Sequence, residues 1–143
     1  MDTLTSEKRS WNMSRIRRAN TKPELAVRSM LHCMGYRFRI SDKTLPGKPD
    51  IVLPKYRAVI FVHGCFWHRH QGCKYAYTPK SSLEFWSQKF EGNILRDKTN
   101  LSLLKKAGWL PIIVWECEIK RDAIVTLGRV SKVLQQRLKK LAA

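Results

Sequence analysis

Apolar residues change their spacing several times along the chain, and each spacing predicts a different element. Residues 21–24 have the spacing of a helix capping box, and apolar positions recur at helical intervals over residues 25–34. Strict alternation over residues 36–40 is typical of a half-exposed strand. Short apolar runs at 49–53 and 57–62 predict buried strands, and the second run is apolar enough to be central in a sheet.

The second half of the chain predicts two long helices with a strand between them. A helical pattern covers residues 83–107 and ends at Gly108, a buried strand covers residues 110–115, and a basic amphipathic helix covers residues 122–141. A helix between consecutive strands permits a parallel crossover. The pattern therefore predicts an α/β fold with a mixed central sheet flanked by helices.

Length and charge narrow the class of protein. A chain of 143 residues suits one domain, which we place at residues 21–143, preceded by a polar and basic arm at residues 1–20. The formal net charge of +17 indicates a polyanionic partner, most simply nucleic acid. The longest apolar runs are too short to span a bilayer, and the start does not resemble a secretory signal. Charge alone does not separate a nuclease from a ribosomal or chromatin-type binder.

Cysteine and histidine are concentrated in residues 65–73, which predicts a zinc site. Cys65, His70 and Cys73 can supply three of the four ligands that zinc requires. Cys117, just past a buried strand, is the predicted fourth ligand. Cys33 competes for that place, but it falls near the apolar side of the first helix and is interpreted as a small buried hydrophobe. Scattered buried thiols and exposed histidines remain the alternative.

A carboxylate and two further histidines predict hydrolytic chemistry. Asp50 begins a buried strand beside a loop, where it can bind a hard cation such as Mg²⁺. His63 and His68 are not needed for zinc, and imidazoles pass protons near neutral pH. Alternatively, His63 only caps its strand and His68 is another zinc ligand. Glu24 fits the capping box, but it can also face the cation through a water.

Aromatic side chains interrupt the ligand loop. Phe66 and Trp67 lie in a hydrophilic loop, where we do not expect both of them to be core residues. An aromatic pair in a basic protein can stack on bases or insert between them. Trp86 is a third candidate, although it can equally be a core residue on its helix.

Several segments resemble the very-short-patch repair (Vsr) endonucleases: PGKPD at 46–50, VIFVHGCFWH at 59–68, Trp86, IVWEC at 113–117 and RSWNM at 9–13. The resemblance implies a restriction-endonuclease-like fold. It also implies a Mg²⁺-dependent nick on the 5′ side of the thymine in T·G mismatches, which arise when 5-methylcytosine deaminates.

The resemblance also implies a role for each catalytic residue. Asp50 and the backbone carbonyl of Val62 would bind Mg²⁺, although Val62 stands where the family usually has threonine. His68 would act as the general acid and base, and His63 and Glu24 would support the catalytic water network.

By the same resemblance, the remaining site residues hold structural zinc or contact DNA. The zinc ligands would be Cys65, His70, Cys73 and Cys117. The intercalating residues would be Phe66, Trp67 and Trp86, and the residues near the mismatched pair would be Met13, Lys89 and Asn93.

The implied partner is double-stranded DNA that contains a T·G mismatch, with a functional link to a cytosine-5 DNA methyltransferase. We expect a monomer in the bacterial cytoplasm, without a membrane partner. Two rival functions remain at this point. One is a restriction-type endonuclease that cuts both strands of matched duplex, and the other is a non-catalytic, zinc-stapled DNA-binding protein.

Overall fold

A computed structural model describes residues 21–40 and 42–143. The predicted basic arm at residues 1–20, which includes Met13, lies outside the described residues. Within them, none of the helices is both long and apolar enough to cross a membrane.

The described residues form three helices and a four-stranded sheet in the predicted order. The helices are α1 (Lys22–Cys33), α2 (Leu83–Lys106) and α3 (Glu116–Ala142); the strands are β1 (Arg39–Ile40), β2 (Ile51–Leu53), β3 (Ala58–His63) and β4 (Leu110–Trp115). A single 3₁₀ turn, Pro54–Tyr56, joins β2 to β3. The predicted α/β class and mixed sheet are confirmed.

The sheet has the order β1-β2-β3-β4, and its last pair is parallel. β2 is antiparallel to both β1 and β3. β3 is buried at every position and lies between β2 and β4, as its apolar run predicted. Because parallel strands need a crossover, α2 runs over the sheet between β3 and β4. His63 and Trp115 are partners at the end of this pair.

The two faces of the sheet bury separate apolar clusters, because successive side chains of a strand point to opposite faces. The larger cluster joins α1 and α3 to one face; among its fully buried members are Val27, Leu31, Ile60, Val114, Leu127, Val130 and Leu134. The smaller cluster joins α2 to the other face through Leu104, which packs with Val52, Val59 and Phe61. Consequently, the apolar cluster between α2 and the sheet has fewer buried members than the cluster on the face that α1 and α3 cover.

Helix α1 begins as its sequence predicted, but one of its residues is placed differently. The Thr21 side chain accepts a hydrogen bond from the Glu24 N–H at 3.4 Å, and Pro23 lies in the first turn. The interpretation of Cys33 as buried was wrong, because its side chain is exposed. The buried face of α1 contains Val27 and Leu31, and a residue two places beyond Leu31 points away from that face.

Two element boundaries also differ from the prediction. The alternating segment at 36–40 forms a strand only at Arg39–Ile40. The last helix begins at Glu116 and has a kink at Asp122, whose φ of −163° and ψ of 94° are not helical. The Asp122 carboxylate accepts a hydrogen bond from the Val125 N–H at 3.1 Å and so caps the part of the helix that was predicted.

We predict that Gly47→Ala lowers the free energy of unfolding by about 1–3 kcal/mol, because the loop before Asp50 requires glycine here. Gly47 has a φ of +77°, and an added Cβ would lie 3.0 Å from the Asn100 Cβ and 3.1 Å from the Phe61 ring. Urea unfolding measures the change. Gly128→Ala is the matched control, because nothing lies within 4 Å of a Cβ at this helical position. Equal stability of Gly47→Ala and the wild type would contradict the prediction.

Candidate active site and metal centre

Asp50 is the buried acid of the candidate active site. It directly precedes β2, and its Oδ2 accepts a hydrogen bond from the Val62 N–H at 2.7 Å. Burial raises the pKa of Asp50 to about 6, and the nearby Glu24 acts in the same direction. Both acids border a cavity of about 390 Å³, whose lining also includes Lys48, His63, His68, Asn93, Arg96 and Asp97.

Two histidines stack beside this acid. The rings of His63 and His68 are nearly parallel, at an interplanar angle of 4°, with centroids 3.8 Å apart. Burial lowers the pKa of His63 to about 3, so this imidazole is neutral near pH 7. The His68 Nδ1 lies 2.7 Å from the Asp97 Oδ2, and about 30% of the His68 side chain is exposed. His68 is therefore the better placed of the two to exchange a proton with a substrate.

Asp97 is a site residue that sequence reasoning missed. Its carboxylate lies within hydrogen-bond distance of the His68 Nδ1 and so orients the His68 ring. The ligand atoms of His63, His68 and Asp97 lie within 4.8 Å of one another. However, the lone pairs of two parallel rings do not converge on one point, so this geometry favours proton transfer over joint binding of a cation. The one signal in the sequence was that Asp97 follows Asn93 by four residues on a predicted helix.

The structure brings the four predicted zinc ligands together. The ligand atoms of Cys65, His70, Cys73 and Cys117 all lie within 4.8 Å of one another, and the Cys117 Sγ is 3.3 Å from the His70 Nδ1. The His70 ring also stacks on Trp115, the last residue of β4, with centroids 4.1 Å apart. Three ligands thus come from the loop after β3, and the fourth comes from the first turn of α3.

The chemistry of this cluster fits a divalent metal ion. Burial raises the pKa of the Cys65 thiol to about 12. A bound cation reverses that preference, because it binds and stabilises the thiolate. The exposed Cys33 on α1 does not belong to the cluster.

Arg69 cross-links the same loop without a metal. Its backbone is left-handed, with a φ of 54°. Its guanidinium donates hydrogen bonds to the carbonyl oxygens of Phe66 (3.3 Å), Ala76 (2.8 Å) and Tyr77 (3.0 Å). The same group lies 3.9 Å from the centroid of the Phe90 ring. No pattern in the sequence indicates these contacts, which join distant parts of an irregular loop to each other and to α2.

The aromatic residues of the loop pack against α2 in a cluster. Phe66 contacts Trp67, Trp86 and Phe90 with ring centroids 5.2–5.5 Å apart. Phe66 and Trp67 are half-buried, whereas Trp86 is only 4% exposed. The prediction that Trp86 contacts bases would therefore require its ring to leave this cluster. The core interpretation of Trp86 thus fits the structure, and the neighbouring Phe85 is 57% exposed.

The predicted mismatch-contacting residues of α2 lie beside Trp67. The Lys89 Nζ lies 5.5 Å from the centroid of the Trp67 ring, and the Asn93 amide donates a hydrogen bond to the Trp67 carbonyl at 3.0 Å. The catalytic candidates, the metal-ligand cluster and the aromatic cluster are therefore contiguous around one loop and one helix.

Sequence comparison finds one matching protein family and several known proteins of similar sequence. The family model "DNA mismatch endonuclease Vsr" matches residues 1–74. The type II nicking enzyme V.XorIIP of Xanthomonas oryzae pv. oryzae is 52% identical over 118 residues, which is 82% of this chain and 86% of that protein. The type II nicking enzyme V.NmeAIP of Neisseria meningitidis is 48% identical, over 86% of this chain and 87% of its own. The DNA mismatch endonuclease Vsr of Escherichia coli K12 is 44% identical, over 90% and 81% respectively.

We predict that the purified protein holds a divalent metal ion and that Cys117→Ala loses it, because this change removes one of the four clustered ligands. Elemental analysis after gel filtration measures the metal content per chain. Cys33→Ala is the matched control and should retain the metal, since Cys33 lies outside the cluster. Loss of metal from Cys33→Ala, or full retention by Cys117→Ala, would contradict the ligand assignment.

Proposed function

Because the chain belongs to the Vsr family of DNA mismatch endonucleases, we propose that it nicks one strand of duplex DNA 5′ of the thymine in a T·G mismatch. The observation that carries this proposal is that Asp50, His68 and Asp97 border one cavity beside a loop that bears two half-buried aromatic rings. Mismatches of this kind arise when 5-methylcytosine deaminates, so we also propose a functional link to a cytosine-5 DNA methyltransferase.

We further propose Mg²⁺ as the catalytic cation, held by the Asp50 carboxylate and the Val62 carbonyl. The residues fit it, because burial disfavours the charge on Asp50 in the metal-free site and a hard cation offsets that penalty. The hydrogen bond from the Val62 N–H also keeps Asp50 beside the Val62 backbone. Bound Mg²⁺ supplies Lewis-acid stabilisation of charge on the scissile phosphate. A backbone ligand explains how valine can replace the family's usual threonine.

His68 is the proposed general acid and base. Its Nδ1 is held by Asp97, which leaves the Nε2 available to take or give a proton at the substrate. His63 is neutral and buried, and its ring supports one face of the His68 ring. Glu24, which is 3% exposed at the start of α1, is proposed to support the water network around Asp50.

We propose that the second site holds structural zinc. Two or more thiolates with an imidazole form a typical zinc ligand set, and four protein ligands leave no open position for substrate. Cys65, His70, Cys73 and Cys117 would fix a loop of few apolar residues, and with it the adjacent His68. Zinc is thus proposed to act on catalysis only by maintaining the shape of this loop.

Two proposed interactions contribute to DNA recognition: electrostatic attraction to any duplex, and insertion of aromatic rings between bases. The net charge of +17 favours binding to the phosphates of any duplex, which does not distinguish a mismatch. We propose that Phe66 and Trp67 insert between bases and that Lys89 contacts the displaced pair. Opening a base step costs a few kcal/mol, and a mispaired step opens more easily. Insertion of the two rings therefore costs less at a mismatch and favours mismatched over matched DNA.

We also propose a fold type, an oligomeric state and a cellular location for the protein. The mixed sheet with flanking helices supports a restriction-endonuclease-like fold. One chain contains all the proposed catalytic residues, which supports action as a monomer. We propose that it acts on bacterial DNA in the cytoplasm, as its relatives are from bacteria.

We predict that the wild-type protein, in the presence of Mg²⁺, nicks a T·G duplex and leaves the matched T·A duplex intact. Asp50→Asn should lower the nicking rate by about 10³-fold or more, since it removes the charge that holds the cation. Denaturing gels with each strand labelled in turn give the rate and the strand. Asp122→Asn is the control, because it removes a distant carboxylate and keeps the oxygen that caps α3.

Double-strand cutting of the matched duplex would instead support a restriction-type enzyme. DNA binding without cutting in any divalent cation would support the non-catalytic binder.

We predict that Phe66→Ala combined with Trp67→Ala weakens binding to the T·G duplex by about 10-fold or more, because stacking contributes roughly 1–3 kcal/mol per base. Binding to matched duplex, and the salt dependence of binding to either duplex, should change little, since no phosphate contact is lost. Fluorescence anisotropy at two salt concentrations measures both. Equal losses on the two duplexes would show that the rings serve only to pack the loop.

A further inference from the structure

Asn93 has both ends of its side-chain amide occupied within the protein. Its Nδ2 donates a hydrogen bond to the Trp67 carbonyl at 3.0 Å, and its Oδ1 accepts one from the Arg96 guanidinium at 3.3 Å. A carbonyl can only accept and a guanidinium can only donate, so the two partners fix the amide in one orientation. At least one donor and one acceptor of the Asn93 amide are therefore used within the protein.

The hydrogen bond of Asn93 lies where Trp67, proposed to contact DNA, is joined to His68, the proposed general acid and base. The carbonyl of Trp67 belongs to the peptide bond that joins Trp67 to His68. On the next turn of α2, Asp97 binds the imidazole of the same histidine at 2.7 Å. Residues four apart lie on one helix face, so Asn93 and Asp97 both contact His68 from the same face of α2. Asn93 acts on the peptide bond before His68, and Asp97 acts on its ring.

We infer that Asn93 is a positioning residue for His68, acting through the Trp67–His68 peptide. This inference rests on the proposed role of His68 and adds to it a determinant of rate that is separate from mismatch affinity. The loop is irregular, so its position over the active site depends on directed contacts such as this one together with the packing of Phe66 against α2. Misplacement of a catalytic group by about 1 Å can slow a reaction by as much as 100-fold.

The opposing interpretation is that Asn93 only reads the mismatched bases. In that case its loss should weaken binding to T·G duplex without slowing the bound complex. The two interpretations therefore differ in which kinetic quantity changes.

The test is single-turnover nicking of the T·G duplex at saturating enzyme. We expect Asn93→Ala and Asn93→Asp to lower the saturated rate by about 10- to 100-fold. Asn93→Asp keeps an acceptor for Arg96 but has no donor for the Trp67 carbonyl. Gln88→Ala is the matched control, since it removes an exposed amide from the opposite side of α2 and should retain the wild-type rate. A wild-type saturated rate for Asn93→Ala, with only its affinity reduced, would overturn the inference.

A double-mutant cycle makes the test specific to His68. If Asn93 acts through His68, then adding Asn93→Ala to His68→Ala should change the remaining rate by less than about 3-fold, because interacting residues are not additive. Full additivity of the two rate losses would show that Asn93 acts elsewhere.

A spectroscopic measurement separates this inference from the proposed function. The ring ¹⁵N resonances of His68 should shift or broaden in Asn93→Ala and remain unchanged in Gln88→Ala. This readout needs no substrate, so it decides the positioning role even if the wild-type protein nicks no T·G duplex. Unchanged His68 resonances in Asn93→Ala would overturn the inference.

Discussion

The parallel pairing of β3 with β4 is the interaction on which both sites depend. The register runs from Ala58 opposite Leu110 to His63 opposite Trp115, so the two strands end at the same edge of the sheet. His63 and the first turn of α3, which contains Cys117, therefore meet there. The crossover that parallel pairing requires is α2, which closes over the loop at the same edge. A slip of one residue would turn His63 to the opposite face of the sheet.

The sequence predicted features that depend on local spacing and missed those that depend on tertiary contact. The apolar run at residues 57–62 identified the central strand, because burial on both faces leaves a continuous signature. The density of thiols and imidazoles identified the ligand cluster with Cys117. By contrast, Asp97 looks like any charged residue of an exposed helix until the fold brings it to His68. Cys33 was misplaced because helix phase, not residue type, decides which side chains are buried.

Burial of Asp50 and His63 disfavours the charged form of each side chain, so both residues make folding depend on pH. The folded-state pKa of Asp50 is raised from 3.8 to about 6, so this residue lowers stability as the pH rises through that interval. The pKa of His63 is lowered from 6.5 to about 3, so stability falls as the pH drops below 6.5. At neutral pH, His63 is uncharged in both states and only ionised Asp50 disfavours the fold. A cation bound to Asp50 would offset this penalty. Functional sites commonly contain groups that lower the stability of the fold.

The ligand cluster is also divided along the chain in a way that constrains folding. Cys65, His70 and Cys73 lie close together, but Cys117 reaches them only after α2 has crossed the sheet and β4 has paired with β3. A chain still emerging from the ribosome can bring together only three of these four side chains until that non-local step is complete. Capture of a metal by all four side chains would consequently be a late event, because long-range pairing of this kind is slow to form.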